Sequence, residues 1–345
     1  MKKVLIGALA FLLCFALVAC GAPKTEEPAA PEAPAQESVA PAAPEQPAEQ
    51  PAEQPAAKKR VAVSLPPADN AWQAALLGKL QEVTAGDTEI EWTIKNAVDN
   101  ADQQNMLATF KDGGYDVIAC LPGDGTLLTT IMEEIYDAGI PTIIIDRNIA
   151  SDKYTSFVAE DNYSCGAMAA EYIGKFFEGQ EDVKLVNLRS YIGIPIDLER
   201  FQGFSDVIKN YPNIKIIGEG DGEFNSNAGY QAMTDLLAAH DHIDVVFTHD
   251  DESTTGAMTA IEQAGRTDIK LITGMGGTVT ALNEIKADNT IHKATASYFP
   301  TKIAEDAVNI IRDFIRTGKI DKDNVRPSTL ITKENVDQFM QYAYQ

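Results

Sequence analysis

The chain has 345 residues, 45% of them apolar, and a formal net charge of −23. That length provides for one large or two ordinary domains with ample core. The acidic balance argues against nucleic acid or polyphosphate as a partner, and most of the acidic residues read as solvated faces.

Residues 1–20, "MKKVLIGALAFLLCFALVAC", carry two lysines, an apolar stretch and then small residues, the layout of a secretory signal. Its end, "LVAC" followed by Gly21, resembles the lipobox at which bacterial lipoproteins are diacylated on cysteine, so Cys20 is the expected lipid anchor. The alternative is an uncleaved transmembrane anchor, against which the apolar run stops short. Residues 21–57 are nearly all Ala, Pro, Glu and Gln, too poor in apolar surface to offset the entropy of ordering. As a polyproline-like leash rising about 3.1 Å per residue, the segment would reach on the order of 100 Å.

Beyond it, apolar runs alternate with amphipathic segments. "RVAVSL", "DVIACL", "PTIIID", "VKLVNL", "IKIIGE", "DVVFTH" and "IKLITG" read as buried strands, and "EIEWTI" as a further strand pattern. "AWQAALLGKLQEV", "TLLTTIMEEIYDAG" and "ESTTGAMTAIEQAG" are helix-length, the last two ending at "AG". Such alternation predicts an α/β fold of parallel sheets wrapped by helices. The units are too many for one sheet and divide near residue 160, where "FVAEDNYSCG" breaks the rhythm, so two similar Rossmann-like lobes are expected. Cys120 lies in a strand run and Cys165 early in a helix, which predicts two separate buried thiols without a disulfide.

In open sheets of this type ligands bind beyond the carboxyl ends of the strands. The side chains found there are Ser64 after the first strand, Asp146 and Arg147 after "TIII", the stretch "RSYIGIPIDLER", and His249, Asp250 and Asp251 after "VVFT". Adjacent opposite charges directly after three isoleucines are costly to bury unless a partner satisfies them. A polyhydroxylated ligand held between two lobes is such a partner.

The pieces "GIPTIIIDR" (139–147), "AEDNYSCG" (159–166), "ERFQGF" (199–204), "VVFTHDDESTTGAMTAI" (245–261) and "GKI" (318–320), in this order and spacing, resemble the type I periplasmic solute-binding proteins of the ribose-binding family, sugar receptors of ABC transporters. The resemblance covers the chain from about residue 58 onward. It implies two lobes joined by a multi-strand hinge with the ligand cleft between them, the first made of 58–160 plus about 298–325 and the second of 161–297 plus about 326–345. It further implies that Asn70 is a polar contact, Trp72 and Phe224 are aromatic walls, and Asp146 and Arg147 hold ring hydroxyls. Departures touch the edge chemistry. Leu198 stands where ribose binders carry arginine and Gly276 where they carry aspartate, so ribose itself is not expected. Asp250 replaces an amide, Tyr298 a glutamine, and Asp197 is the carboxylate that partly replaces what was lost.

Plainer readings stand beside these. Asp146 reads also as a helix cap with Arg147 its partner, Trp72 and Phe224 as core, and Arg200 equally as a loop-fixing residue or a ligand contact. "HDDE" (249–252) offers consecutive metal-type ligands, but neighbouring positions point in different directions, so no metal is expected; Asp250 faces ligand while Asp251 or Glu252 begins the helix. Nothing resembles a nucleophile triad, a phosphate loop or a complete dinucleotide fingerprint, so neither an enzyme nor a bound cofactor is expected. The expected protein is a monomeric, lipid-anchored receptor outside the bacterial cell membrane or on its periplasmic side. It would deliver a small neutral sugar or polyol to an ABC permease. The alternative is a receptor that passes ligand binding, for instance of an autoinducer, to a membrane sensor.

Overall fold

The computed structural model describes residues 57–345. The leader, Cys20 and all but the last residue of the 21–57 leash lie outside the described residues. In chain order the first elements are β1 (Lys59–Leu65), α1 (Ala71–Thr84), β2 (Ile90–Asn96), α2 (Asn100–Asp112), β3 (Val117–Cys120), α3 (Gly125–Asp137), β4 (Thr142–Ile145) and β5 (Ser156–Glu160). There follow α4 (Asn162–Phe176), β6 (Val183–Arg189), α5 (Pro195–Ile208), β7 (Ile214–Asp221), α6 (Ser226–Ala239), β8 (Val245–Thr248), α7 (Asp251–Gln263), β9 (Leu271–Gly276), α8 (Val279–Ala287) and β10 (His292–Ser297). The chain continues through α9 (Pro300–Thr317), β11 (Asp323–Arg326) and β12 (Leu330–Thr332).

These strands build two six-stranded sheets, ordered β11-β5-β4-β3-β1-β2 and β12-β10-β9-β8-β6-β7. Every pairing is parallel except that of β12 with β10. Apart from the added sixth strand, each sheet follows the doubly wound order 2-1-3-4-5, whose reversal beside the first strand opens a crevice at the carboxyl ends. The central strands "VIAC", "TIII" and "VVFT" are buried throughout, because helices cover both faces and leave no solvated side to alternate with.

The two α/β halves expected from the sequence are therefore present, and the predicted strands correspond to β1 to β4 and β6 to β9. The helix ends read from "AG" are also found, with Gly139 and Gly265 at φ 80° and 63° after α3 and α7. Carboxylate, amide or hydroxyl side chains of Asn70, Asp99, Asp124, Asp161, Asn225, Asp250 and Thr278 cap helix N-termini, while α5 and α9 begin on Pro195 and Pro300. Cys120 and Cys165 are both free and buried.

The chain passes between the sheets three times, after β5, after β10 and after β11. Glu160, 3% exposed, ties the three passages together. It accepts from Ser297 Oγ at 2.9 Å and from the Phe299 amide at 3.0 Å, and Arg326 lies 3.5 Å away. One apolar core runs through both halves, from Val61 and Ile143 through Cys165 and Ala169 of α4 and Ile303 and Ala307 of α9 to Leu185 and Phe247. Two glycines set the contact of α4 with α5: a Cβ on Gly166 would overlap the Arg200 carbonyl, and one on Gly203 the Tyr163 carbonyl. That close approach brings the Arg200 side chain to Asn162 at the start of α4.

Candidate ligand-binding site

A cavity with about 450 Å³ of empty space, part of it continuous with solvent, lies where the carboxyl ends of the two sheets face each other. The first sheet contributes Asn70 and Trp72 after β1 and Asp146 and Arg147 after β4. The second contributes Ile196 and Arg200 from α5, Phe224 after β7, Asp250 and Glu252 at α7, Met275 and Gly276 of β9, and Tyr298 after β10. Tyr344 completes the lining.

Asp146 sits at φ 65° directly after the buried "TIII" strand, a left-handed conformation that Asp tolerates better than most residues. It is 3% exposed. Its Oδ1 accepts the Tyr298 hydroxyl at 2.6 Å, and its Oδ2 lies 3.6 Å from Arg147 Nε. Burial pushes its carboxyl above the ordinary range, although Arg147, the Tyr298 bond and Arg200 pull the other way. The Arg147 guanidinium is positioned by the Gly123 carbonyl at 3.4 Å and, with the Gln73 amide turned to satisfy both its ends, by the Gln73 oxygen at 3.2 Å. Its buried Nε has no hydrogen-bond partner among the described residues.

Opposite, Arg200 is fixed rather than free. Its Nε donates to Asn162 Oδ1 at 2.9 Å and its Nη1 to the His249 carbonyl at 2.5 Å, and its guanidinium lies 4.6 Å from the Tyr298 ring centroid. Tyr298 also receives Asn162 Nδ2 at 3.2 Å, and its carbonyl accepts Trp72 Nε1 at 3.1 Å. Phe224 is presented by a turn in which Glu223 and Phe224 both have positive φ, 49° and 51°. The Asp221 carboxylate gathers that turn and the 191–192 backbone by accepting from the Tyr191, Ile192 and Glu223 amides.

Asp250 caps α7 through the Ser253 amide at 2.7 Å and accepts the hydroxyls of Ser190 and Ser253, yet burial still holds its carboxyl above the ordinary range. Asp251 is turned away, held by the Gly277 and Thr278 amides and Thr295. Glu252 points across to the amides of Ala71 and Trp72 at the start of α1. Burial and the neighbouring Asp250 charge raise its carboxyl to about 7 against those amides. The arrangement offers rings on opposite walls for apolar C–H faces, with carboxylates and a guanidinium at the edges for hydroxyls.

The sequence profile of the periplasmic binding protein domain matches residues 61–320. The ribose import binding protein of Bacillus subtilis is 30% identical over 68% of this chain and 75% of its own. The chain belongs to the type I periplasmic binding proteins, in the ribose-binding family. Other relatives include the galactofuranose-binding protein of Escherichia coli, 31% identical over 57% of this chain and 64% of its own. A fructose-binding periplasmic domain of a hybrid two-component system has a TM-score of 0.74 at 27% identity, covering 82% of this chain and 93% of that one. An ABC transporter solute-binding protein from Bacillus halodurans, solved with myo-inositol, shares the fold with a TM-score of 0.76 at 23% identity, over 83% and 98% of the two chains. The family is one of periplasmic solute-binding proteins rather than enzymes.

Of the residues singled out in this periplasmic binding protein's sequence, Asn70, Trp72, Asp146, Arg147, Arg200, Phe224, Asp250 and Tyr298 meet around one cavity. Two do not. Ser64 is fully buried inside β1, where its hydroxyl accepts Gln103 Nε2 at 3.3 Å, because its side chain faces α2 and not the strand end. Asp197 is fully buried behind the cavity. It accepts Arg189 Nε at 2.8 Å and the Gly193 amide at 2.8 Å, with His249 Nδ1 at 3.2 Å. Burial alone would raise its carboxyl, but His249, Arg189 and Gly193 outweigh that and hold it at about 2. It closes the 189–197 loop and is not a cavity carboxylate.

Sequence reasoning missed Ile196, Met275 and Tyr344 and gave Glu252 only a helix-start role. Ile196 and Met275 carry no polar signal, and Tyr344 follows the last strand with no periodic pattern around it. Among the described residues no helix is long and apolar enough to cross a membrane, and no group of three or more His, Cys, Asp or Glu could hold a metal ion.

Proposed function

We propose that the protein is the extracytoplasmic solute-binding component of an ABC importer and that its ligand is a small neutral polyhydroxylated molecule, a monosaccharide in the simplest case. The observation that carries this reading is the cavity between the strand ends of two doubly wound sheets, with buried carboxylates and aromatic rings on facing walls. Arg200 donates from Nε and Nη1 to Asn162 and the His249 carbonyl and keeps its charge. Two cations, Arg147 and Arg200, thus stand against three carboxyl groups, Asp146, Asp250 and Glu252. Such a lining demands hydrogen-bond donors, which hydroxyls provide, and repels phosphate or carboxylate groups. Eight residues form the proposed ligand contacts: Asn70, Trp72, Asp146, Arg147, Arg200, Phe224, Asp250 and Tyr298.

In this reading residues 58–160 with about 298–325, and 161–297 with about 326–345, are two lobes that close on the ligand, whose contacts with both favour the closed form. The protein acts as a monomer and performs no reaction. Cys20 carries the lipid that holds it outside the membrane, residues 21–57 give it reach, and a membrane permease receives the ligand. The likeness to the fructose-binding domain of a two-component system supports a second reading, in which closure is reported to a sensor rather than coupled to uptake.

A thermal-shift screen of residues 58–345 against neutral sugars and polyols, their phosphorylated and uronic forms, nucleosides and autoinducers tests the ligand class, since binding to the native state alone raises the melting temperature. A neutral sugar or polyol should shift it and the acidic forms should not; a shift by a sugar phosphate alone refutes the assignment.

A further inference from the structure

We propose that Tyr344 determines which ligands the cavity accepts, its hydroxyl donating to the ligand and its ring ending the cavity so that a single sugar ring fits and a second does not. The inference rests on the sugar-binding reading above and adds a residue to it. It starts from Gly276, the last residue of β9, which has φ 146° and lines the cavity. The space a side chain would need there is already taken: a Cβ on Gly276 would lie 2.6 Å from the Tyr344 hydroxyl oxygen and 3.0 Å from Asp251 Oδ2. The hydroxyl end of Tyr344 thus stands at the cavity wall where residue 276 contributes nothing.

The ring is fixed there. The Tyr344 carbonyl accepts the Val279 amide at 2.9 Å and its own amide reaches the Gly277 carbonyl at 3.4 Å, and the ring is buried with Leu282, Ile285 and Phe299. Burial, followed by the nearby Asp251, Glu252 and Asp250 carboxylates, holds the phenol pKa well above its ordinary value, so the group is a donor at any physiological pH.

Behind it lies a second recess with about 700 Å³ of empty space, also continuous with solvent, lined by Ser226, Thr255 and Thr278 among others. The cavity and this recess share two lining residues, Glu252 and Tyr344. Glu252 lies against the start of α1, and the Tyr344 ring stands between the two spaces. A ligand extended in this direction would have to run through the position the ring occupies.

The test is calorimetry on the full chain, as wild type, Tyr344→Phe and Tyr344→Ala, against D-ribose, D-fructose, D-allose, L-arabinose, myo-inositol, sucrose and maltose. The wild type should bind at least one single-ring compound and neither disaccharide. Tyr344→Phe, which keeps the ring, should weaken the best ligand about tenfold, the size of one lost hydrogen bond. Tyr344→Ala should gain binding of a disaccharide, which general destabilisation would not produce; if that variant does not fold, Tyr344→Phe decides alone. Affinity of Tyr344→Phe within twofold of wild type, or disaccharide binding by the wild type, overturns the role of Tyr344 and leaves the sugar reading standing. A wild type that binds no compound of the panel overturns that reading, and this inference falls with it.

Discussion

The Tyr298 hydroxyl donates to Asp146 Oδ1 at 2.6 Å across 152 positions of sequence, joining the end of β4 in the first sheet to the end of β10 in the second. With Arg147 on the other oxygen, the bond holds a buried carboxylate in one orientation before any ligand arrives. Tyr298→Phe removes the donor and keeps the ring that stacks under Arg200. It should weaken ligand binding by about 1–2 kcal/mol, part of the roughly 1.5–3 kcal/mol that a hydrogen bond to a charged group is worth. Calorimetry with the ligand found by thermal shift measures it, and an unchanged affinity would mean that Asp146 is oriented by other contacts.

Asp146→Asn alters the same pair from the other side. A charge-assisted bond to a ligand hydroxyl becomes a neutral one, and Arg147 loses its counter-charge. The expected loss is about 2 kcal/mol of affinity with the fold retained. Calorimetry together with far-ultraviolet circular dichroism separates the two effects, and full affinity in the variant would remove Asp146 from the ligand contacts.

Glu160 offers a stability prediction. Glu160→Ala leaves the Phe299 amide and Ser297 hydroxyl without their acceptor and Arg326 without its buried partner. Urea denaturation should report a loss of about 2–3 kcal/mol. A loss below about 0.5 kcal/mol, the usual range of a surface change, would mean that the three passages are held by their packing alone.

His249 sets an acid limit. Burial, with smaller contributions from Arg200 and Arg189, lowers its pKa to about 4 against the pull of Asp197. Between about pH 6.5 and 4 the unfolded chain therefore takes up a proton that the folded protein refuses, so this group makes stability fall as the pH falls through that window. His249→Gln cannot titrate. Although less stable at pH 8, it should show a shallower loss of melting temperature from pH 7 to 4.5 than the wild type. Parallel curves would contradict the buried neutral imidazole.

The two tryptophans of the chain divide cleanly. Trp72 lines the cavity and bonds the Tyr298 carbonyl, whereas Trp92 donates to Asp87 at 3.1 Å on the far side of the first sheet. Ligand should change the emission of a Trp92→Phe variant. An unaltered spectrum at saturating ligand, with binding confirmed by calorimetry, would show that Trp72 does not touch it.

Much of this was legible in the sequence because a buried parallel strand writes itself as an unbroken apolar run, and the residue that follows it is delivered to the crevice. That is how "TIIIDR" exposes Asp146 and Arg147 and "VVFTHD" exposes Asp250. The same rule fails at the start of a helix, where it cannot tell which side chains turn inward. Asp197 and Arg200 are one helical turn apart, yet the first is taken by Arg189 behind the cavity and the second reaches the wall. It fails also for Ser64, one residue short of the end of β1 and facing the other layer. The edge strand β11 reads "DNVR", too polar and short to announce itself, and Tyr344 depends on a tertiary vacancy at Gly276 that local pattern does not record.

The three passages between the sheets impose an order of assembly. The first sheet lacks its outer strand until residues 323–326 are available, and the second lacks its own until 330–332. Up to that point β5 and β10 present bare backbone edges, the kind of surface that recruits strands from neighbouring chains. A truncation before residue 323 would therefore produce two incomplete, adhesive sheets instead of one finished half and one missing half, and neither half can be prepared by cutting the polypeptide once.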